Sequence, residues 1–208
     1  MSYITSYCHI SLNSYAINGE VKQTFNAETI DSFTKELYKH LAIEYPKFYK
    51  MDRLTKTAFL GAELLKKNFL TLTKFKDDDI ALLFANNNSS ALTDVKFTSS
   101  YLDGGNPSPS LFVYTLPNIL IGEIAIRNKW YGENMFTVSE NFDAEYFTNY
   151  SKFLLNKNAE AVLIGWLNVN DTNVEAFLAF ITKKDLKQLN LELNSKQLLE
   201  LFRSNKNE

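Results

Sequence analysis

The 208-residue sequence holds a single cysteine, Cys8, and only two histidines, His9 and His40. One thiol permits neither an internal disulfide nor a multi-thiolate zinc site, and two histidines leave little room for a histidine-built catalytic centre. Charge of one sign is also lacking: 24 acidic side chains offset 22 basic ones, for a formal charge of -2. No global field therefore draws nucleic acid or an anionic membrane surface. The seven glycines form neither a dinucleotide fingerprint nor a phosphate-binding loop, and no serine lies in a nucleophile-elbow pattern. The longest apolar stretches, around 116–126 and 161–169, are interrupted by Asn, Gly or Glu. Both fall short of the ~20 residues a membrane helix needs, so no membrane span is expected. The N-terminus has no basic region followed by an apolar one, so no secretory signal is expected and a cytoplasmic location is.

What is present is the composition of a globular protein, 45% hydrophobic and 14% aromatic, at a length that favours one domain. Residues 3–12 are β-branched and aromatic and predict a strand. The polar stretch 13–50 holds one helix near 29–41 that ends before Pro46. Leu54, Ala58, Phe59, Ala62, Leu65 and Phe69 recur at helical spacing behind Asp52. The apolar run 79–85 reads as a strand buried on both faces, with loops at 86–90 and 98–110. Pro117 suits the first position of a helix running to about Arg127. Then follow a strand at 134–139, a helix at 143–156, a strand pair at 160–169 and 174–182, and two amphipathic stretches at 184–191 and 195–202. This alternation predicts an α/β fold: a five-stranded, mostly parallel sheet with one antiparallel strand and helices on both faces.

The helix at 143–156 is unusually apolar. At 100° per residue, Phe142, Tyr146, Phe147, Tyr150, Phe153 and Leu154 fall within about 140° of arc, and Ala144 and Leu155 widen the apolar side to roughly 220°. Glu145, Thr148, Asn149, Lys152 and Asn156 mark the polar stripe. A helix packed on one sheet needs an apolar stripe of about 100°, so something must cover its second side. Another polypeptide is the expected cover, and the C-terminal helices are the alternative.

Other clusters have plainer readings. Asp77, Asp78 and Asp79 form a charged turn ahead of a buried strand, and Cys8 in the first strand is an inert buried thiol. The pairs Lys66-Lys67 and Lys183-Lys184 are solvated helix ends with no nucleic-acid footprint.

Several segments, in order, resemble the N-terminal half of β-ketoacyl-acyl-carrier-protein synthases, which adopt the thiolase fold. They begin with Met51 to Lys56 and Asp79 to Phe84, and continue through Ser108 to Val113, Leu116-Pro117-Asn118 and Gly122 to Ile126. Trp130 to Asn134 and Asn158 to Gly165 complete the series. The match spans nearly all of this chain as a single synthase N-terminal-like domain and about half of a complete synthase. The sequence is most similar to stand-alone N-terminal-domain homologues associated with bacterial aryl-polyene and flexirubin-like pigment pathways.

The resemblance implies a cysteine at the N-terminus of the helix after strand 134–139, where the helix dipole lowers a thiol pKa. Counting forward from Gly132 puts that slot at Asn141, and counting back from Gly165 puts it at Glu140. Neither forms a thioester, and Ser139 has no histidine in sight to activate it. The family's two active-site histidines belong to the C-terminal half, so the resemblance implies no independent condensation, no metal and no cofactor. It implies instead an accessory, chain-length-factor-like subunit of fatty-acid or polyketide-type synthesis: a homodimer, or a heterodimer with a full-length ketosynthase, with acyl carrier protein as a further partner.

The family pairs the strand before the helix across a dimer axis. That marks Met135, Phe136, Thr137, Val138 and Ser139, together with Tyr146, Tyr150 and Phe153, as interface candidates. Two alternatives accompany this reading. One is residual decarboxylation or hydrolysis with Glu140 as base. The other is acyl-chain binding in a pocket between the 111–126 segment and the following helix, with Phe112, Asn118, Gly122 and Phe142 as lining candidates.

Overall fold

The computed structural model describes residues 1–69, 75–102, 104–184, 186, 189 and 191–204. Strand β1 (Tyr3–Ser11) turns through Asn13 into β2 (Ser14–Ile17), which turns through Asn18-Gly19 into β3 (Glu20–Thr24). Asn18 and Gly19 take positive φ angles of 52° and 83°, the conformation a two-residue hairpin turn requires. The Asn18 carboxamide oxygen also accepts the Tyr7 amide at 2.9 Å, beside the register shift in β1. This hairpin lies within the stretch expected to be irregular.

Helix α1 (Ile30–His40) begins at a capping box of Thr29 and Ser32. Helix α2 (Arg53–Asn68) begins where the Asp52 carboxylate accepts the Thr55 amide at 2.9 Å. A 3-10 turn at Asp77–Asp79 leads into β4 (Ile80–Asn86), buried along its whole length. After it come α3 (Ala91–Leu102), α4 (Pro109–Val113) and α5 (Ile119–Asn128). The helices α3 and α4 thus take up much of the segment expected as a loop. Asn118 caps α5, so Pro117 precedes the cap and is not the first helical residue.

The order closes with β5 (Asn134–Val138), α6 (Ala144–Lys157), β6 (Ala161–Val169), β7 (Val174–Thr182), β8 (Leu191–Glu192) and α7 (Ser195–Arg203). The expected helix at 184–191 falls in part on residues outside those described, and its last residue, Leu191, pairs with Ile4 as part of β8.

One sheet carries the strands in the order β3-β2-β1-β7-β6-β4-β5, with β8 added to β1. Within it, β4, β5 and β6 are parallel, and β7 runs antiparallel to both β6 and β1. The expected five-stranded core is therefore present, extended by the hairpin and by β8.

The central strands are buried on both faces because helices cover both. On one face α2 packs on β1, β6 and β7, with α1 and α5 against α2. On the other, α6 lies on β6 and β4, and α7 lies on α6. Gly61 lets α2 approach β7, since a Cβ there would collide with Leu178. Gly165 gives way in the same manner to the ring of Phe84.

Acidic groups also enter this core. The Glu123 carboxylate, 1% exposed, accepts the Tyr114 hydroxyl at 3.2 Å and pairs with Lys47 at 2.8 Å. Burial, then the Glu123 charge, pushes the Tyr114 phenol above its ordinary range.

Candidate functional site

The two edges of the sheet differ in chemistry. The β3 edge is exposed throughout and carries Glu20 and Lys22, paired at 2.5 Å. Charged side chains of this kind discourage a further strand. The β5 edge, made of Asn134, Met135, Phe136, Thr137 and Val138, has no charge.

Glu133 accepts the Leu82 amide at 2.9 Å and the Ser139 amide donates to Asn86 at 3.0 Å. By the alternation of a parallel ladder, the odd-numbered residues of β5 therefore bond β4, while the N–H and C=O groups of Asn134, Phe136 and Val138 face outward. Met135 is 38% exposed and Val138 51%.

From β5 the chain passes through Ser139, whose hydroxyl donates to the Asn141 carbonyl at 3.1 Å. It enters α6 at Asp143, whose carboxylate accepts the Tyr146 amide at 2.9 Å. Counting placed the nucleophile slot at Glu140 or Asn141, yet both are exposed and precede the cap. The residues at the helix start are Phe142, Asp143 and Ala144. The carboxylate at the cap already satisfies the amide that would otherwise stabilise an anion. No residue from Ser139 to Ala144 has a thiol.

Cys8, the only cysteine in the sequence, is fully buried, and its thiol, pushed up to about 12 by burial, donates to the Gly61 carbonyl at 3.7 Å. Such a thiol is inert. Native protein should resist thiol reagents that label it at once in denaturant, and native labelling at the rate of an open thiol would refute this burial.

The second side of α6 is covered largely by its own chain, which corrects the expectation that another polypeptide shields it. Leu198, Leu201 and Phe202 of α7 join Phe147, Leu154 and Leu155 of α6 in one cluster over Ala81, Leu83, Val162 and Ile164. Phe142 stacks on Phe202 with ring centroids 4.2 Å apart. Thr148, expected on the polar stripe, is buried at 3% exposure.

What α7 leaves uncovered is a narrower strip. Phe153 is 48% exposed and Tyr146 and Tyr150 are half-buried. Their rings follow one another at 5.8 and 5.7 Å. The Tyr146 and Thr137 hydroxyls are 2.6 Å apart, which ties this strip to β5. Asp143, Glu145 and Asn149 border the same groove of about 430 Å³. A larger open cleft of about 740 Å³ lies between the 139–145 segment and Lys196, Leu199 and Arg203 of α7.

The structure thus brings the interface candidates together and separates the pocket candidates. Phe112, 56% exposed on α4, packs against Phe97. Asn118 is exposed, and Gly122 lies in α5, whose Leu120, Ile121 and Ile124 belong to the core on the α2 face of the sheet. Phe142 sits in the cluster on the opposite sheet face. The sheet stands between them, so the four residues line no common cavity among the described residues. Among those residues no cluster of His, Cys, Asp or Glu could hold a metal ion, and no helix is long and apolar enough to cross a membrane.

No protein-family model matches the sequence, and no curated protein matches it. Solved structures do. A chain in the complex of a ketosynthase (ApeO) with its chain length factor (ApeC) from Xenorhabdus doucetiae aligns over 100% of this chain and 92% of its own length, at TM-score 0.61 and 12% identity. The ishigamide ketosynthase/chain length factor aligns over 91% of this chain at TM-score 0.64 and 13% identity. A type II polyketide synthase acyl-carrier protein in complex with its ketosynthase bound to the hexaketide aligns over 88% at TM-score 0.61 and 11% identity. The chain spans 64% and 62% of the matched chains in these last two. At this level of identity the likeness shows the fold: the chain has the thiolase-like architecture of ketosynthases.

Proposed function

We propose that this protein is a non-condensing, ketosynthase-like subunit that acts as a chain-length-factor-like partner of an active ketosynthase in polyketide-type or fatty-acid synthesis. An aryl-polyene or flexirubin-like pathway is the fitting setting. The observation that carries the reading is the start of α6. A condensing member of the resembled family holds a thiolate there, and this chain holds the Asp143 carboxylate bonded to the Tyr146 amide. A second negative charge at that place opposes an acyl-transfer anion instead of stabilising it.

The matched chain of similar length in the Xenorhabdus complex of a ketosynthase with its chain length factor supports a partner role. The uncharged β5 edge and the Tyr146–Tyr150–Phe153 strip supply the contact: outward main-chain groups pair with a strand, and the aromatic rings seal the flank.

Glu140 carries no competing decarboxylase reading, because it is exposed and lies outside the start of α6. Incubation of the purified protein with malonyl-carrier protein should release no carbon dioxide above background. Co-expression with the ketosynthase encoded nearest to it should yield a one-to-one complex. Turnover by the isolated chain, or failure to form that complex, would remove the proposal.

A further inference from the structure

The β5 edge is uncharged, but what flanks it is negative. From Trp130 to Ser151 the sequence has four acids, Glu133, Glu140, Asp143 and Glu145, and no Lys, Arg or His. All four acids are exposed. Glu133 pairs with Lys157 at 3.6 Å, whereas no base pairs with Glu140 or Glu145 among the described residues. Asp143 and Glu145 border the groove that Tyr146, Tyr150 and Phe153 line, and no basic residue lines it. Lys196 and Arg203 of α7 stand on the other wall of the larger cleft, outside this groove.

The rings add an independent preference for a cation. An aromatic face is negative and attracts positive charge, and the strip already holds one cation: the Lys157 ammonium lies 5.0 Å over the Phe153 ring. Among the described residues, Tyr146 and Tyr150 have no such cation over them.

We propose that this face selects a partner whose pairing edge is flanked by arginine and excludes a second copy of this chain. The inference rests on the partner reading above and adds to it the charge of the ketosynthase surface that fits. A guanidinium stacks flat on a phenol ring while its N–H groups reach a carboxylate, and the groove offers both together, with Tyr150 and Glu145 along one wall. Self-pairing fails in either orientation. Laid parallel, two β5 edges set Glu140 against Glu140. Laid antiparallel, they set Glu133 toward Glu140 of the second copy. Like charges brought together in this way weaken the wrong complex and leave the right one untouched.

Surface plasmon resonance with the purified full chain and the ketosynthase encoded nearest to it provides the test. Glu140→Gln combined with Glu145→Gln should slow association by about tenfold at low ionic strength, because charge at an interface rim acts mainly on encounter. Raising sodium chloride from about 0.05 to about 0.5 M should slow the wild type to the level of that variant and leave the variant nearly unchanged. Both side chains are exposed and keep their size, so far-UV circular dichroism should be the same. A complex that Val138→Pro abolishes, yet the glutamine pair and salt leave unaltered, overturns the charge inference while the partner reading stands. A wild-type homodimer that Val138→Pro dissolves overturns it as well. Absence of any complex with the ketosynthase removes the partner reading and this inference together.

Discussion

Val138→Pro is expected to abolish assembly with a strand-pairing partner while leaving the fold intact. The amide of Val138 points away from β4, because the neighbouring Ser139 amide is the one that bonds Asn86. Proline there removes an outward donor and nothing from the internal ladder, a substitution that edge strands tolerate. The side chain is 51% exposed, so packing is barely touched and the melting temperature should move by no more than about 2 °C. Thr137→Pro, one residue earlier, removes an amide that faces β4 and the hydroxyl bonded to Tyr146. It should therefore lower stability as well as assembly. Capture of the partner by Val138→Pro at wild-type strength would show that the edge is not the pairing site.

Phe180→Ala should be among the most destabilising single changes. Phe180 lies on β7, fully buried, with the Phe69 ring stacked at 5.3 Å and Trp130 edge-on at 5.7 Å. β7 joins the two parts of the sheet, so the surrounding strands have little freedom to close the cavity. Removing a buried phenyl ring typically costs about 3–5 kcal/mol. At this chain length that corresponds to a fall in melting temperature of about 6–20 °C. A drop below about 3 °C would mean the site relaxes around the void in a way this packing does not allow.

The central sheet and its main helices were legible because their signals are strong and local. β4, β6 and β7 are near-continuous apolar runs of the kind that strands buried on both faces require. The spacing of Leu54, Ala58 and Leu65 follows the buried side of α2. The hairpin β2–β3 escaped notice although Asn18-Gly19 is a strong turn signal. The reason is that β3 is wholly exposed and has Val21 as its single apolar residue, which leaves periodicity nothing to find. β8 has only two residues, too few for any pattern.

At the site, helical arithmetic gave the width of the apolar arc on α6 but could not say what lies on it. Phe202 stacks on Phe142 across 60 positions of sequence, a contact no local rule contains. Counting from flanking glycines put the slot at Glu140 or Asn141, in the loop that precedes the Asp143 cap, because counting does not see where a helix begins. The helices α3 and α4 were hidden by Pro107, Pro109 and the glycines between them, which read as punctuation.

The unlike borders of the sheet have a consequence for growth. A polymer of stacked sheets needs two receptive rims per molecule, so that each addition presents a fresh one. Here one rim bears Glu20 and Lys22 and repels annealing, and docking at the other consumes it. Strand addition should therefore stop after a single event, which lets a cell carry a bare, sticky border without seeding fibrils.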